Sequence, residues 1–248
     1  MSDAMRAETT QIAGANGDSI EAYLAQPLDG PPTGGVVVIH HMPGYDEGTK
    51  EITRKFAAHG YLAICPNLYY REAPGASPDD AAATARASGG VPDERLVGDV
   101  GGAAAHLRSL PLSNGKAATI GYCSGGRQSF LAACSLDLDA AVDCYGAFII
   151  ATPPDGFPVK IGPLADRAND LSCPLLGLFG AEDQYPSPEE VDEFEKVLTA
   201  AGKEFEFHSY EGAGHAFFAT DRPSYRPEAA NEGWQRIWEF FDRTLSNG

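Results

Sequence analysis

A glycine-rich turn between a predicted strand and a predicted helix constrains this chain more than any other feature. The strand pattern covers residues 116–122, the helix pattern covers 126–135, and the turn between them reads GYCSGG. One glycine lies two residues before Cys123 and another two residues after it. This is the spacing of a nucleophile elbow, in which a crowded turn presents the central side chain at the end of a sheet. The following helix places Cys123 at its N-terminus, which favours a thiolate. The alternative interpretation is an ordinary glycine-rich turn around a small buried cysteine.

Strand and helix patterns alternate along most of the rest of the chain. Residues 19–26 alternate as an antiparallel edge strand. Further strands are predicted at 35–41, 61–65, 140–145, 175–179 and 204–210, and further helices at 51–59, 78–87, 93–110, 187–201 and 234–245. This order predicts an α/β fold with a mostly parallel central sheet and helices on both faces. Residues 1–248 are expected to form one domain, with the ligand beyond the carboxyl ends of the strands.

Two candidate partners for Cys123 follow later strands. Asp183 comes after the predicted strand at 175–179, and His215 comes after the one at 204–210. The chain order of nucleophile, acid and histidine is that of α/β-hydrolases. His215 is expected to exchange a proton with the Cys123 sulfur, and Asp183 to fix its tautomer. Glu182 is the weaker candidate for the acid.

Such a site also needs two N–H donors for the oxyanion. One is expected from the residue after the nucleophile, Ser124, and the other from the loop after the strand at 36–39. That loop reads HHMPG, and Met42 has a backbone N–H whereas Pro43 has none. Met42 is therefore the predicted second donor. No metal site is expected, because the five cysteines show no C-x-x-C spacing.

The chain resembles the dienelactone hydrolase family from the His41 loop to His215. Besides GYCSGG, the stretches GYLAICPNLYY at 60–70 and SNGK at 113–116 are similar to family segments. The resemblance implies an α/β-hydrolase fold, a triad at Cys123, Asp183 and His215, and oxyanion donors at Met42 and Ser124. It also implies hydrolysis through an acyl-cysteine intermediate, with no metal and no organic cofactor.

Two positions depart from the family's archetype. His41 stands where the archetype has a glutamate that helps to deprotonate the cysteine. Ala219 stands where it has an arginine that holds the substrate carboxylate. His41 is therefore an accessory candidate as a base, as a cation or as a structural group. The possible substrate-binding arginines are Arg86, Arg95 and Arg222. We expect a substrate unlike the archetypal dienelactone, either larger or less charged.

Composition excludes several other classes of function. The formal net charge of −17 opposes binding to nucleic acid and to anionic membranes. The N-terminal residues lack the apolar core of a signal peptide, and no apolar run is long enough to cross a membrane. The sequence thus predicts a cytoplasmic enzyme acting on a small-molecule ester or lactone. It does not decide between monomer and homodimer.

Three other functions remain open at this stage. A thioesterase or acyl transferase would use the same fold with another acyl acceptor. A catalytically retired binding module would keep the fold alone, although a complete triad argues against it. A nucleotide-binding oxidoreductase would need a G-x-G-x-x-G turn after the first strand of the alternating series, and HHMPG stands there instead.

Overall fold

The computed structural model describes residues 4–246 and contains one eight-stranded mixed sheet. The strands are β1 Met5–Ala13, β2 Ser19–Pro27, β3 Thr33–Ile39, β4 Leu62–Pro66, β5 Ser113–Tyr122, β6 Ala140–Cys144, β7 Leu175–Gly180 and β8 Phe205–Tyr210. Their spatial order is β1-β2-β4-β3-β5-β6-β7-β8. The pairs β1–β2 and β2–β4 are antiparallel, and all the others are parallel. The predicted α/β fold with a mostly parallel sheet is confirmed.

Six helices connect or flank the strands. They are α1 Glu47–Ala58, α2 Pro78–Ala87, α3 Asp93–Arg108, α4 Ser124–Ala133, α5 Pro188–Ala200 and α6 Pro227–Leu245; short 3-10 turns lie at Ala15–Gly17 and Ala165–Asp170. No helix in residues 4–246 has the combination of length and apolar character needed to cross a membrane.

Successive residues of β3 belong to two separate hydrophobic cores, which shows that both faces of the sheet are covered. Val37 belongs to the core that contains α4 residue Phe130. Val36 belongs to the other core, with Phe56 of α1 and Ile237 of α6. Because successive side chains of a strand point to opposite faces, a buried strand is apolar throughout. This is why the β3 segment could be recognised in the sequence.

The helix starts were predicted best where the capping residues are unambiguous. α2 has the predicted bounds, and the Ser77 side chain accepts a hydrogen bond from the Asp80 N–H. At α5, Ser187 and Glu190 form the predicted reciprocal capping box. α6, by contrast, begins seven residues before the predicted start, at Pro227. The buried residues of its first turns are the small Ala229, Ala230 and Gly233, so these turns lack the large apolar side chains used to find the helix.

The prediction of an edge strand at residues 19–26 is wrong. β2 lies between two partners, because β1 pairs with it antiparallel from Met5 opposite Pro27 to Ala13 opposite Ser19. β1 was missed because five of its nine residues are exposed and only Ile12 is buried, so the segment has no apolar alternation. The hydrogen bonds of the ladder to β2 hold this segment in the sheet, and a hydrophobic pattern does not reveal such bonds.

Candidate active site

Cys123 lies in a sharp turn between β5 and α4. Its backbone has φ 57° and ψ −123°, outside the regions that side-chain-bearing residues ordinarily occupy. The glycines beside it are required by close packing. A Cβ on Gly121 would lie 1.9 Å from the carbonyl oxygen of Gly125, and a Cβ on Gly125 would lie 2.4 Å from that of Ile39. The predicted elbow geometry is therefore present, and its strain exposes Cys123 beyond the strand end.

The neighbouring strand β6 holds the elbow from the side. The Cys123 N–H donates to the Cys144 carbonyl oxygen at 3.0 Å. A Cβ on Gly126 would lie 2.1 Å from Oδ1 of Asp143, so only glycine fits at this position. The Asp143 carboxyl is fully buried, and Oδ1 accepts the Gly146 N–H at 2.7 Å. Burial raises the pKa of Asp143 to about 7, with the Gly146 N–H opposing this rise.

The loops after β7 and β8 bring Asp183 and His215 together. Oδ2 of Asp183 lies 2.8 Å from Nδ1 of His215, and Oδ1 accepts the Tyr185 N–H at 2.9 Å. Asp183 is buried. The Cys123 side chain acts on the same imidazole, since it is among the groups that raise the pKa of His215. The structure thus brings the three predicted residues together at one cavity.

This arrangement favours the protonated form of His215. Burial alone would lower the pKa of the imidazole. The hydrogen bonds with Asp183 and Cys123 and the charges of both groups outweigh that effect and raise it well above its ordinary value. With both ring nitrogens protonated, His215 donates to the Asp183 carboxylate through Nδ1. The site therefore favours an imidazolium in the cavity that contains Cys123.

The two expected oxyanion donors lie on the same side of the sheet as Cys123. Ser124 is the first residue of α4, so its N–H has no acceptor one turn earlier in the helix. Met42 lies three residues after β3, in a turn closed by the Gly44 N–H on the His41 carbonyl at 2.9 Å. The Tyr69 hydroxyl donates to the Met42 carbonyl oxygen at 3.1 Å. Both residues line the cavity that contains Cys123.

That cavity has a volume of about 480 Å³. It lies beyond the carboxyl ends of the parallel strands, where the α/β pattern placed the ligand. Aromatic and aliphatic side chains form much of its wall, and Glu182 is at its surface. Its remaining lining residues include Tyr69, Val91, Arg127, Gln128, Phe148, Phe157, Val159, Ile161 and Tyr185.

His41 lies outside this cavity. It lines a second one, of about 270 Å³, together with Ala219. Its Nε2 is 2.7 Å from Oδ2 of Asp46, the residue that caps α1. Burial opposes ionisation of Asp46, but the hydrogen bonds from His41 and Thr49 outweigh it and hold the pKa of this carboxyl well below its usual range.

The adjacent His40 is a structural residue. It is buried, its Nδ1 donates to the His41 carbonyl at 2.9 Å, and its Nε2 accepts the Leu68 N–H at 3.2 Å. These bonds need the neutral ring. Burial lowers the pKa of His40 to about 4.

None of the three predicted arginines lines the cavity with Cys123. Arg95 forms an ion pair with Glu72. Arg222 is exposed, and its charge acts on the buried hydroxyl of Tyr145. Arg86 is half-buried on α2, near Tyr69.

The arginine that does line the cavity is Arg127, which is not among the predicted site residues. It occupies the position directly after GYCSGG, so the motif itself could have indicated it. Its guanidinium contacts Asp93 at 3.3 Å and donates to the Gly162 carbonyl at 2.8 Å. The residues of the aromatic wall, Phe148, Phe157 and Tyr185, were missed because they lie in irregular segments without a sequence pattern.

Comparison with known proteins identifies the relatives of this chain. Residues 20–245 match the model of the Dienelactone hydrolase family. The chain is 38% identical over 251 residues to a provisionally named carboxymethylenebutenolidase of Escherichia coli (strain K12), covering 96% of this chain and 88% of the relative. It is 28% identical to the carboxymethylenebutenolidase of Pseudomonas putida, covering 95% and 96%. A crystal structure of a provisionally named dienelactone hydrolase from Klebsiella pneumoniae superimposes with a TM-score of 0.84 at 31% identity, covering 96% of this chain and 99% of that one.

Proposed function

Because the chain belongs to the dienelactone hydrolase family of α/β-hydrolases, we propose that it hydrolyses an ester or lactone through an acyl intermediate on Cys123. The observation that carries the proposal is the 2.8 Å contact of Asp183 with His215 in the cavity that also contains Cys123. Residues 4–246 serve this site as one α/β-hydrolase domain, and residues 1–3 and 247–248 of the expected domain lie outside the described residues.

The first half of the reaction forms the acyl-enzyme. The Cys123 thiolate attacks the carbonyl carbon, and the carbonyl oxygen becomes an oxyanion that accepts hydrogen bonds from the Met42 and Ser124 N–H groups. The tetrahedral intermediate then collapses and expels the alkoxide, which takes a proton from Nε2 of His215. Asp183 stabilises the imidazolium before this transfer and keeps Nδ1 protonated after it. The products of this half-reaction are a thioester on Cys123 and an alcohol, or the opened chain of a lactone.

The second half regenerates the enzyme. His215, now neutral at Nε2, takes a proton from a water molecule that attacks the thioester carbonyl. The same two N–H groups stabilise the second oxyanion. Collapse of this intermediate releases the carboxylic acid and returns Cys123 to its thiolate beside the imidazolium. No step needs a metal or an organic cofactor.

The substrate is expected to differ from the archetypal dienelactone. The archetype's carboxylate-binding arginine is replaced by Ala219, and Arg86, Arg95 and Arg222 do not line the cavity. His41 acts as an accessory residue by holding Asp46 and so the loop that carries Met42. The absence of these arginines from the lining supports a substrate without a carboxylate beside its scissile bond.

The test is detection of the intermediate. Mixing the protein with p-nitrophenyl acetate is expected to give a burst of p-nitrophenol, followed by steady turnover. Intact mass analysis of acid-quenched samples should show one added acetyl group, located on Cys123 by peptide mapping. Cys123→Ala should show neither the burst nor the adduct. Turnover by Cys123→Ala at the wild-type rate, or an adduct on another residue, would overturn the proposal.

A further inference from the structure

The cavity above Cys123 has an aromatic wall, defined here as Phe148, Phe157 and Tyr185. The ring centroids of Phe148 and Phe157 are 4.8 Å apart at an interplanar angle of 67°, and those of Phe148 and Tyr185 are 5.5 Å apart at 40°. All three residues line the cavity that contains the nucleophile. Aromatic faces and edges attract other aromatic rings in such tilted arrangements.

Tyr185 is unusually exposed for an aromatic residue. Within residues 4–246, only Leu28 and Tyr185 are large hydrophobic side chains with high exposure, at 60% and 47%. Tyr185 lies at the candidate active site, whereas Leu28 does not line this cavity. An exposed aromatic ring next to a nucleophile is a typical binding surface, because ligand burial removes its apolar face from water.

The wall is held in place by the surrounding structure. Phe148 has a φ of 63°, a conformation that a bulky residue keeps only where its surroundings impose it. The segment that carries Phe157 is anchored at two points on its C-terminal side. The Lys160 N–H donates to the Gly89 carbonyl at 2.7 Å, and the Gly162 carbonyl accepts from Arg127 at 2.8 Å. A preformed wall loses little conformational entropy when a ligand binds.

The charges around the cavity oppose an anionic ligand. Arg127 is the only arginine or lysine among its lining residues, all of which belong to the described part of the chain. Its guanidinium is buried and contacts Asp93 and the Gly162 carbonyl, while its Nε has no hydrogen-bond partner among the described residues. Glu182 is exposed at the same cavity, so a substrate carboxylate near it would meet a negative charge, and Arg127 is already in contact with Asp93.

We propose that the aromatic wall selects an uncharged substrate that carries an aryl group, which packs against Tyr185 and Phe157 while the ester carbonyl lies at Cys123. This inference rests on the proposed function for the position of the scissile bond. The aryl group belongs either to the acyl part or to the alcohol part of the ester, and the chemistry that recognises it is the same in both.

Two matched pairs of esters test the inference. Benzyl acetate and cyclohexylmethyl acetate differ only in the ring of the alcohol part, and methyl phenylacetate and methyl cyclohexylacetate differ only in that of the acyl part. In at least one pair, we expect Tyr185→Ala and Phe157→Ala to raise KM for the aryl ester about tenfold more than KM for the cyclohexyl ester. One aromatic contact contributes a free energy that corresponds to about this factor. The change should fall on KM more than on kcat.

Two control variants separate ring packing from a general disturbance. Tyr185→Phe keeps the ring and should retain the wild-type KM ratio, and Leu28→Ala removes the other exposed apolar side chain and should leave it unchanged. Equal effects of Tyr185→Ala and Phe157→Ala on the aryl and cyclohexyl esters in both pairs would overturn the proposal. So would the absence of any effect.

A binding measurement distinguishes failure of this inference from failure of the proposed function. On Cys123→Ala, titration with 4-phenyl-2-butanone and 4-cyclohexyl-2-butanone reports ring recognition without any reaction. Tighter binding of the phenyl ketone, lost in a Tyr185→Ala double variant, supports the aromatic wall even if no hydrolysis is found. Equal affinity for the two ketones contradicts it even if Cys123 proves to be the nucleophile.

Discussion

Asp183 and His215 lie 32 positions apart in the chain, and yet Oδ2 of Asp183 is 2.8 Å from Nδ1 of His215. The second carboxylate oxygen accepts the backbone N–H of Tyr185 at 2.9 Å, so Asp183 cannot turn away from the ring without losing this bond. The carboxylate therefore fixes both the orientation and the tautomer of His215, with Nε2 towards Cys123. This relationship makes Asp183 the first position to test.

Asp183→Asn is expected to reduce kcat strongly while the protein stays folded. The amide can donate to Nδ1 and so favour the wrong tautomer, an exchange that costs up to about four orders of magnitude in a serine protease. The measurement is steady-state turnover of an activated ester together with the melting temperature. Glu182→Gln, at the exposed neighbouring position, is the matched control and should keep most of the turnover. A greater loss in Glu182→Gln would show that the acid has been misassigned.

Alkylation should distinguish Cys123 from the other four cysteines. Cys65, Cys134 and Cys144 are buried. Cys173 is half-exposed, but burial of its sulfur raises the pKa of that thiol to about 12, so it is the internal control for exposure without reactivity. Limited iodoacetamide treatment at neutral pH, followed by peptide mass mapping, should label Cys123 first. Equal labelling of Cys173 would contradict the thiolate assignment.

His41→Gln should leave the pH dependence of Cys123 alkylation unchanged. His41 lines the second cavity, and its Nε2 is bonded to Asp46. A glutamine can still donate to that carboxylate and hold the loop. The measurements are the alkylation rate between pH 5 and pH 9 and the relative activity on neutral and carboxylate-bearing esters. A shifted alkylation profile would show instead that His41 acts on the sulfur as a base or a cation.

Wild type is expected to prefer neutral esters over carboxylate-bearing esters of the same size. Arg127, the one arginine in the cavity lining, is already in contact with Asp93, and Glu182 repels an anion. The measurement compares kcat/KM for ethyl phenylacetate with kcat/KM for the same ester carrying a free carboxylate on its ring. Preference for the anionic ester would indicate that Arg127 leaves Asp93 to bind it.

Asp143→Asn should change stability in a pH-dependent way. The folded state raises the pKa of Asp143 from 3.8 to about 7 because the carboxyl is buried. At a pH between 3.8 and about 7, Asp143 keeps its proton in the folded protein and loses it in the unfolded chain. The free-energy cost of burying Asp143 therefore grows as the pH rises through this range and becomes constant above about pH 7. Replacing the carboxyl with a neutral amide removes this cost.

The readout is the difference in urea unfolding free energy between Asp143→Asn and wild type at several pH values. This difference should move in favour of the variant from pH 4 to pH 7. His40, whose pKa is lowered to about 4 by burial, gives the opposite slope in both proteins and cancels in the difference. A difference that does not depend on pH would contradict a protonated Asp143 in the folded state.

Several parts of the site could be read from local sequence because their cause is local. The elbow glycines flank Cys123 because a Cβ at Gly121 or Gly125 would overlap backbone atoms. The Ser187 cap and its Glu190 partner act within one turn of helix. The buried part of β3 is a continuous apolar run. In each case the steric or hydrogen-bonding requirement lies within a few residues of the pattern that reveals it.

The sequence by itself determined the alternation of strands and helices, the elbow, and the chain order of Cys123, Asp183 and His215. Only the tertiary structure decided that β1 pairs with β2 and that His41 bonds Asp46 outside the cavity that contains Cys123. It also decided that Arg127 lines this cavity. It also brought Phe148 and Tyr185 to one wall. These contacts join distant segments through packing and hydrogen bonds, and their free energy depends on where the whole sheet places each loop. Local sequence propensity does not indicate that placement.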